Sequence, residues 1–593
     1  MDGPASLNTM IGCMLHESWY TSGTYHNEDL RLSVGWVSLR GSFSDCMPMW
    51  NETRDVCLIF SGEEFPDQGD VDSLRGRGHV FEDGNASYLV HLYEESGFEF
   101  LEKLNGIFRG LLVDLRQQKI VLFNDRYGMG RIYFHEDRQG FYFSSEAKSL
   151  LKLLPATRQM DPKGVSEFFA CGCVLQNRSL FSGISLLPGG SAWTWSLAQP
   201  PKRQVYFKKN TWEEQPRLGP VEYREKLEEV WQQLLPKRLD GPQPVALSLT
   251  GGLDSRMILA WADRSPRELP CYTFGGTYRD CMDVKVARQL AKLCGRSHQT
   301  IPLGQDYFDK FPDLLKKSVY ITDGVLDPTG TADLYWQHAA RQIAPVRITG
   351  LYGGEVLREI SLVKPGSVGQ SLLVPEMARM AQAVRETYAE EIAGRRLSFI
   401  VFKQAPWFIY SRLALEQSQL TLRTPYFDNK LVALAYQAPP ELATSSDVGL
   451  DLIAKGNPKM KAIGTDQGIG PQTIPGLAYV RNFYQKFTFK LEYACDTGMP
   501  QWLARFDAIA RPLHPERLIL GRHKVSHFRV WYRDKLSRYV QDVCLDPRTL
   551  NRPYLQGQRL ETMVSRHVTG VGNHTSEIHR VLTLESLQRQ LID

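Results

Sequence analysis

The most constraining stretch of this sequence is a short apolar run, Pro244 to Leu249, that stops at Thr250-Gly251-Gly252 and continues as the mostly apolar pattern Asp254 to Ala262. A strand that passes through a glycine turn straight into a helix is half of a βαβ unit, and such units build parallel sheets covered by helices. The same grammar recurs downstream. Leu269 to Phe274 reads as the next strand. Asp283 can cap a helix with apolar positions Val286, Ala287, Leu290, Leu293 and Cys294, and Gly295 can end it. Arg347 to Thr349 is a further strand, feeding Gly350. Ligands of such sheets bind beyond the carboxyl ends of the strands, and both glycine turns, at 251 and at 353, fall there.

Upstream the chain reads differently. Lys119 to Asn124, Arg131 to His135 and Gly140 to Ser144 are short runs rich in β-branched and aromatic residues, separated by turn residues, as in an antiparallel meander. A helical stretch, Ser87 to Glu95, interrupts it. A Pro-rich, charged segment follows, and then Pro220 opens a helix with Tyr223, Leu227, Val230, Trp231 and Leu234 at helical spacing. The expected organisation is an α+β domain over residues 1–198, a linker over 199–220 and an α/β domain over 221–593 with a helical C-terminal region. A chain of 593 residues exceeds what one core organises, which fits this division. A formal charge of +4 without a Lys/Arg block gives no footprint for nucleic acid or anionic membrane. No apolar run reaches the ~18 residues of a membrane span, and the opening MDGPASLNTM lacks a signal peptide's basic start and apolar core. Ten scattered cysteines suit free thiols in a reducing cytoplasm.

The chemistry concentrates in Leu249-Thr250-Gly251-Gly252-Leu253-Asp254-Ser255. Glycines let backbone N–H groups approach an anion, Thr250 and Ser255 add hydroxyls, and the following helix points its positive end at the turn. Asp254 can hold the Mg²⁺ that accompanies ATP. The string resembles the pyrophosphate loop of ATP-pyrophosphatase enzymes, with Thr250 in place of the usual first serine. Further strings are similar to those of the asparagine synthetase family, in family order: Leu104-Asn105-Gly106-Ile107-Phe108, Asn124-Asp125-Arg126-Tyr127-Gly128, Phe143-Ser144-Ser145-Glu146-Ala147-Lys148 and Arg423-Thr424-Pro425-Tyr426-Phe427-Asp428. The resemblance implies an N-terminal Ntn-type antiparallel β-sandwich that hydrolyses glutamine. It also implies a C-terminal parallel α/β sheet of the ATP-pyrophosphatase type that adenylates a carboxylate for attack by ammonia. ATP and Mg²⁺ are the implied cofactors. Phe274 and Gly275 would line the adenine pocket, and Lys486, with Lys490 as rival, would face the pyrophosphate charge.

Two departures stand out. The family's glutaminase nucleophile is a cysteine following the initiator Met, whereas this chain begins Met1-Asp2-Gly3. The family's Asn-Gly-Glu, which contacts glutamine, is here Ser61-Gly62-Glu63, and the aspartate expected near Asn85, in Asp83-Gly84-Asn85, is shifted or lost. Ser61, Gly62, Glu63 and Asn85 thus read as a vestigial glutamine site. The second synthetase loop is Gly350-Leu351-Tyr352-Gly353-Gly354-Glu355. Its alignment puts Glu355 at the Mg²⁺ carboxylate beside Asp254, Gly353 and Gly354 against the nucleotide, and Tyr352 at the catalytic base. That last placement is similar to β-lactam synthetase and needs a partner carboxylate, for which Glu386, Glu390 and Glu391 are candidates. Asp283 and Asp323 are either further acidic contacts or simple cap and turn residues.

The leading expectation is an ATP-dependent amide-forming ligase, by default making asparagine from aspartate, with glutaminase activity doubtful. Its partners would be a small carboxylate and ammonia or an amine, and a homodimer is the one protein partner the reading admits. A ring-closing or amine-joining ligase on the same scaffold is the alternative, and a non-catalytic ATP-binding scaffold the reading from another class. Cys171-Gly172-Cys173 and the histidines His523, His527, His567, His574 and His579 lack metal-site spacing and read as structural.

Overall fold

The computed structural model describes residues 3–197, 199–262, 268–363, 370–465, 475–510 and 514–593. The N-terminal half is organised by a six-stranded antiparallel sheet in the order Gln199–Val205, Ser191–Ser196, Lys119–Asn124, Gly106–Asp114, Val56–Glu64, Met49–Trp50. Its strands alternate strictly. Val56, Leu58 and Phe60 pack with Leu89, Leu92 and other helical residues on one face, while Cys57 and Ile59 pack on the other with Val34, Ile132 and Leu187. The second face is covered by the hairpin Tyr20–Asn27/Leu32–Leu39 and by a three-stranded sheet of Phe141–Ser144, Tyr133–Glu136 and Ser185–Leu186. This is the antiparallel sandwich with helices that the sequence implied.

One boundary is corrected. Residues 199–205, expected in the linker, form the edge strand of the large sheet, paired with Ser191–Ser196 in the register Ala192↔Gln204 and Thr194↔Lys202. Pro200 and Pro201 cannot donate to a ladder, which disguised the strand in the sequence; an edge position tolerates them.

The C-terminal half holds a five-stranded parallel sheet in the order His298–Pro302, Cys271–Gly275, Val245–Ser248, Val346–Thr349, Thr421–Arg423. Val245–Ser248 is buried along its whole length, as an unbroken apolar strand covered on both faces must be. Helix Asp254–Ala262 follows it directly, and helix Pro220–Leu239 buries Tyr223, Leu227, Trp231 and Leu234. The strand order reverses beside Val245–Ser248, so its carboxyl end and that of Val346–Thr349 open side by side. No helix among the described residues is long and apolar enough to cross a membrane, and all ten cysteines carry free thiols.

Candidate functional site

The two glycine turns meet where these strands end. Around the first, the Thr250 amide donates to Ser255 Oγ at 3.0 Å, and the two hydroxyls lie 3.0 Å apart. The Gly251 amide donates to Asp283 Oδ1 at 2.8 Å. Asp283 therefore does not cap its own helix, Met282–Leu293, whose N-cap is Cys281; it braces the loop instead. The second turn lies against Asp254. A Cβ on Gly353 would sit 2.6 Å from Asp254 Cγ, and one on Gly350 would sit 2.5 Å from the Ser255 nitrogen. Neither position accepts a side chain without parting the turns.

The third strand end ties both turns down. Thr424 Oγ1 donates to the Leu351 carbonyl and the Tyr426 hydroxyl to the Asp254 carbonyl, each at 2.7 Å. The Asp254 carboxylate is held by Arg358 Nη2 at 2.9 and 2.8 Å. Glu355 is half-buried, and its carboxyl is pushed up first by burial and then by the charge of Asp254, with Arg358 pulling the other way. Two carboxylates on facing turns, crowded and offset by one guanidinium, are a donor set suited to Mg²⁺. Arg358 escaped the sequence reading, although it lies within the helix Gly353–Arg358 that carries Glu355.

Tyr352 meets a geometry contrary to that expected of a base. It is 1% exposed, at φ 73, and among the described residues its hydroxyl has no hydrogen-bond partner. Its ring packs edge-on to Phe427 with centroids 4.3 Å apart, and Phe427 in turn meets Tyr127 of the N-terminal domain at 4.6 Å. Burial holds the phenol well above its ordinary pKa, and Glu355 adds to that. None of the candidate partners serves it: Glu386 and Glu390 are exposed, and Glu391 accepts from Gln176 at 3.1 Å and pairs with Lys403 at 3.4 Å.

Phe274 and Gly275 end the strand beside the first turn. Phe274 stacks on Trp336 at 5.1 Å, and Arg347 lies over its other neighbourhood at 5.2 Å from the ring centre. Lys486 falls in helix Pro475–Cys495, but its side chain lies outside the described residues; Lys490 is exposed on the same helix. Asp323 is not at the loops. It accepts from the amides of Ala147 at 2.6 Å and Lys148 at 3.1 Å, capping a helix of the N-terminal domain. Cys171 and Cys173 are buried, with the Cys171 thiol pushed up to about 12 by burial, as inert structural thiols should be.

The N-terminal strings gather at the domain boundary. Ser61, Gly62 and Glu63 line a cavity of about 170 Å³ whose far wall includes Arg423 and Phe427. Glu63 is taken by Arg423: Nε lies 3.0 Å from both carboxylate oxygens and Nη2 lies 2.7 Å from Oε1. The remaining Arg423 nitrogen donates to the carbonyls of Arg238 and Asp240 at 3.1 and 2.6 Å. Asn85 is not brought into this cavity. It forms the turn before helix Tyr88–Ser96, donating to Glu82 at 2.8 Å and accepting from the Ser87 amide at 2.9 Å. Asn105 and Asp428 join the domains at 2.8 Å, Tyr127 and Asn429 at 2.9 Å. The motif residues of the two halves thus form one continuous seam.

Comparison with known proteins agrees with both halves. Residues 3–207 match the glutamine amidotransferase domain family and residues 226–357 match the asparagine synthase family. Asparagine synthetase [glutamine-hydrolyzing] 1 of Bacillus subtilis is 22% identical over 372 residues, covering 60% of this chain and 57% of that protein. Asparagine synthetase [glutamine-hydrolyzing] 2 of the same organism is 27% identical over 341 residues, covering 53% of this chain and 44% of that one. The Zea mays asparagine synthetase [glutamine-hydrolyzing] is 25% identical over 287 residues, covering 47% and 43%. The chain spans about half the length of the curated relatives it matches.

Proposed function

We propose that this chain, whose residues 3–207 and 226–357 match the glutamine amidotransferase domain and asparagine synthase families, is an ATP-dependent amide-forming ligase working at the facing turns 250–255 and 350–355. A carboxylate oxygen of the acceptor, aspartate by default, attacks the α-phosphorus of ATP and pyrophosphate leaves. Ammonia or an amine then attacks the acyl carbon and AMP leaves. Both leaving groups depart far more readily than hydroxide, and holding the amine beside the activated carbonyl removes much of the entropic barrier. The observation that carries this reading is the convergence of Asp254 and Glu355 at adjoining strand ends, with the positive end of helix Asp254–Ala262 beneath. Asp254 and Glu355 would hold a Mg²⁺ ion, which when bound neutralises charge on the polyphosphate. Thr250, Ser255 and Asp283 shape the loop, and Tyr352 positions it by packing. The acceptor is found by screening carboxylic acids for ATP–pyrophosphate exchange with labelled pyrophosphate. Exchange that depends on one acid is expected; stoichiometric release of ADP would sink the proposal.

The Glu63–Arg423 pair favours ammonia or a free amine over glutamine as the nitrogen source. A carboxylate gripped by a guanidinium has little charge left to bind a substrate ammonium group. Ammonium should support product formation, and glutamine should give little glutamate. Rapid steady glutamate release would restore the glutamine-dependent reading.

A further inference from the structure

Outside the seam, two histidines and two glutamates converge on the outer side of the N-terminal domain. Glu52 comes from the turn after strand Met49–Trp50, His79 from the segment after helix Gln68–Gly76, and His91 and Glu94 from helix Tyr88–Ser96, three residues apart. One ligand atom from each of the four lies within 4.8 Å of all the others. We propose that this cluster is a binding site for a divalent transition-metal ion, with Zn²⁺ the best fit.

The spacing is that of a coordination shell. With Zn–N and Zn–O bonds of about 2.0–2.2 Å, the ligand atoms of a tetrahedral site lie about 3.3–3.5 Å apart. His91 Nδ1 is 3.1 Å from Glu94 Oε2 and 3.3 Å from Glu52 Oε2, and His79 Nδ1 is 3.3 Å from Glu52 Oε1 and 4.0 Å from Glu94 Oε2. Protons alone serve this arrangement poorly. A ring nitrogen carries at most one hydrogen, yet His91 Nδ1 faces an oxygen from each carboxylate. The two rings also lie close, with centroids 4.7 Å apart, so both can face one ion.

The surroundings match a ligand-orienting shell. His79 turns its other nitrogen, Nε2, to Glu95 Oε1 at 3.0 Å, the carboxylate–histidine arrangement that fixes the tautomer of a metal ligand. Asn51 Nδ2 donates at 2.7 Å to Glu94 Oε1, leaving Oε2 for the cluster. His91 is 2% exposed whereas the Glu52 side chain is 44% exposed, so the site is anchored on a buried ligand and open at one edge. Arg116, 3.8 Å from Glu94 Oε1, and Arg77, paired with Glu95, are the cations nearby, and both engage carboxylates from outside the ring of four. A mixed nitrogen and oxygen donor set selects zinc-like ions over Mg²⁺ and Ca²⁺, which take oxygen. Such an ion would add a further link among three segments already joined by hydrogen bonds such as Asn51 to Glu94 and Val80 to Glu52.

The test uses the full chain, stripped with a chelator and dialysed against micromolar Zn²⁺. Elemental analysis should find one more zinc per chain in the wild type than in His79→Gln or Glu52→Gln, both changes at partly exposed positions. Glu95→Gln should weaken zinc binding about 10–100-fold, the scale for losing an outer-shell partner. Zinc should raise the melting temperature of the wild type and leave that of His79→Gln unchanged, with circular dichroism confirming that each variant folds. Equal zinc content in the wild type and in both ligand variants, or equal zinc-induced shifts, would overturn the proposal. Should His79→Gln misfold, Glu52→Gln and Glu95→Gln decide it alone.

Discussion

The turn at Ser61–Glu63 and the facing turns at 250–255 and 350–355 are built from similar materials, glycine next to a carboxylate, and have opposite electrostatics. Glu63 is saturated by an arginine from the other domain, through three short contacts. Asp254 and Glu355 share the offset of Arg358, and the Glu355 carboxyl remains pushed up by burial and by Asp254. The first turn has its counter-charge built in and works as a fastening. The second brings two carboxylates and Arg358 together at adjoining strand ends, where we place the bound cation. A retained motif therefore says little about retained chemistry until its charges are balanced against their partners.

The strongest way to break this contrast is Asp254→Ala. Losing a carboxylate where charge must be neutralised should cost several kcal/mol of transition-state stabilisation, about 10³-fold in ATP–pyrophosphate exchange. The fold should survive, since Arg358 is left half-exposed rather than buried. Near-normal exchange would remove Asp254 from the site. Arg423→Ala addresses the other turn. It strands Glu63 in a largely buried position, with side-chain exposures of 8% and 13% for the pair, and removal of one partner from such a pair costs about 3–5 kcal/mol. Urea unfolding should show that loss. A change below about 1 kcal/mol would mean that the pair is solvated and that Glu63 is free to bind ligand.

Glu64, next along the strand, sharpens the comparison because no guanidinium among the described residues pairs with it. Burial pushes its carboxyl up from an ordinary 4.5 to about 8, with the Asn105 amide and the charges of Lys237 and Arg238 pulling back only in part. Between those values the folded chain holds a proton that the unfolded chain has lost. Its contribution to stability is therefore whole below pH 4.5 and drains away as pH rises through 8. Glu64→Gln should leave stability little changed at pH 4.5 and raise it at pH 9 by up to about 5 kcal/mol, read from denaturant midpoints at the two pH values. An equal offset at both would show that packing, not ionisation, sets the difference.

What the sequence could reveal of all this follows from range. Elements written locally came through: Lys119–Asn124 and Asp254–Ala262 are a strand and a helix at the residues expected, because alternation and an apolar run after a glycine turn are short-range signals. The parallel sheet and the placing of turns 251 and 353 at carboxyl ends of its strands followed from the strand–helix grammar; the strand order and the contact between the turns did not. Pairings across hundreds of residues did not. Glu63 and Arg423 are 360 positions apart, and each sat in a recognisable string without any sign that the strings touch. Asp283 was legible as a helix cap because Asp before an apolar pattern usually is one; only the fold shows it reaching back to Gly251.

Tyr352 gives the smallest expected effect and the most discriminating one. A residue at the base position of an amide ligase, on removal of its proton-transferring group, should slow product formation about 10²–10⁴-fold. The geometry points the other way. The hydroxyl is buried with no partner among the described residues, and an unpaired buried hydroxyl costs about 1–3 kcal/mol of desolvation. Tyr352→Phe keeps the ring against Phe427 and deletes that penalty. Exchange and amide formation should both stay within about twofold, with stability rising by about 1 kcal/mol. If amide formation falls while exchange persists, the phenol acts in the second step, and the loop must move to give it a carboxylate. If both fall together, the ring's position at the turn, not its proton, supports the nucleotide site, and the seam through Phe427 to Tyr127 is what couples that site to the N-terminal domain.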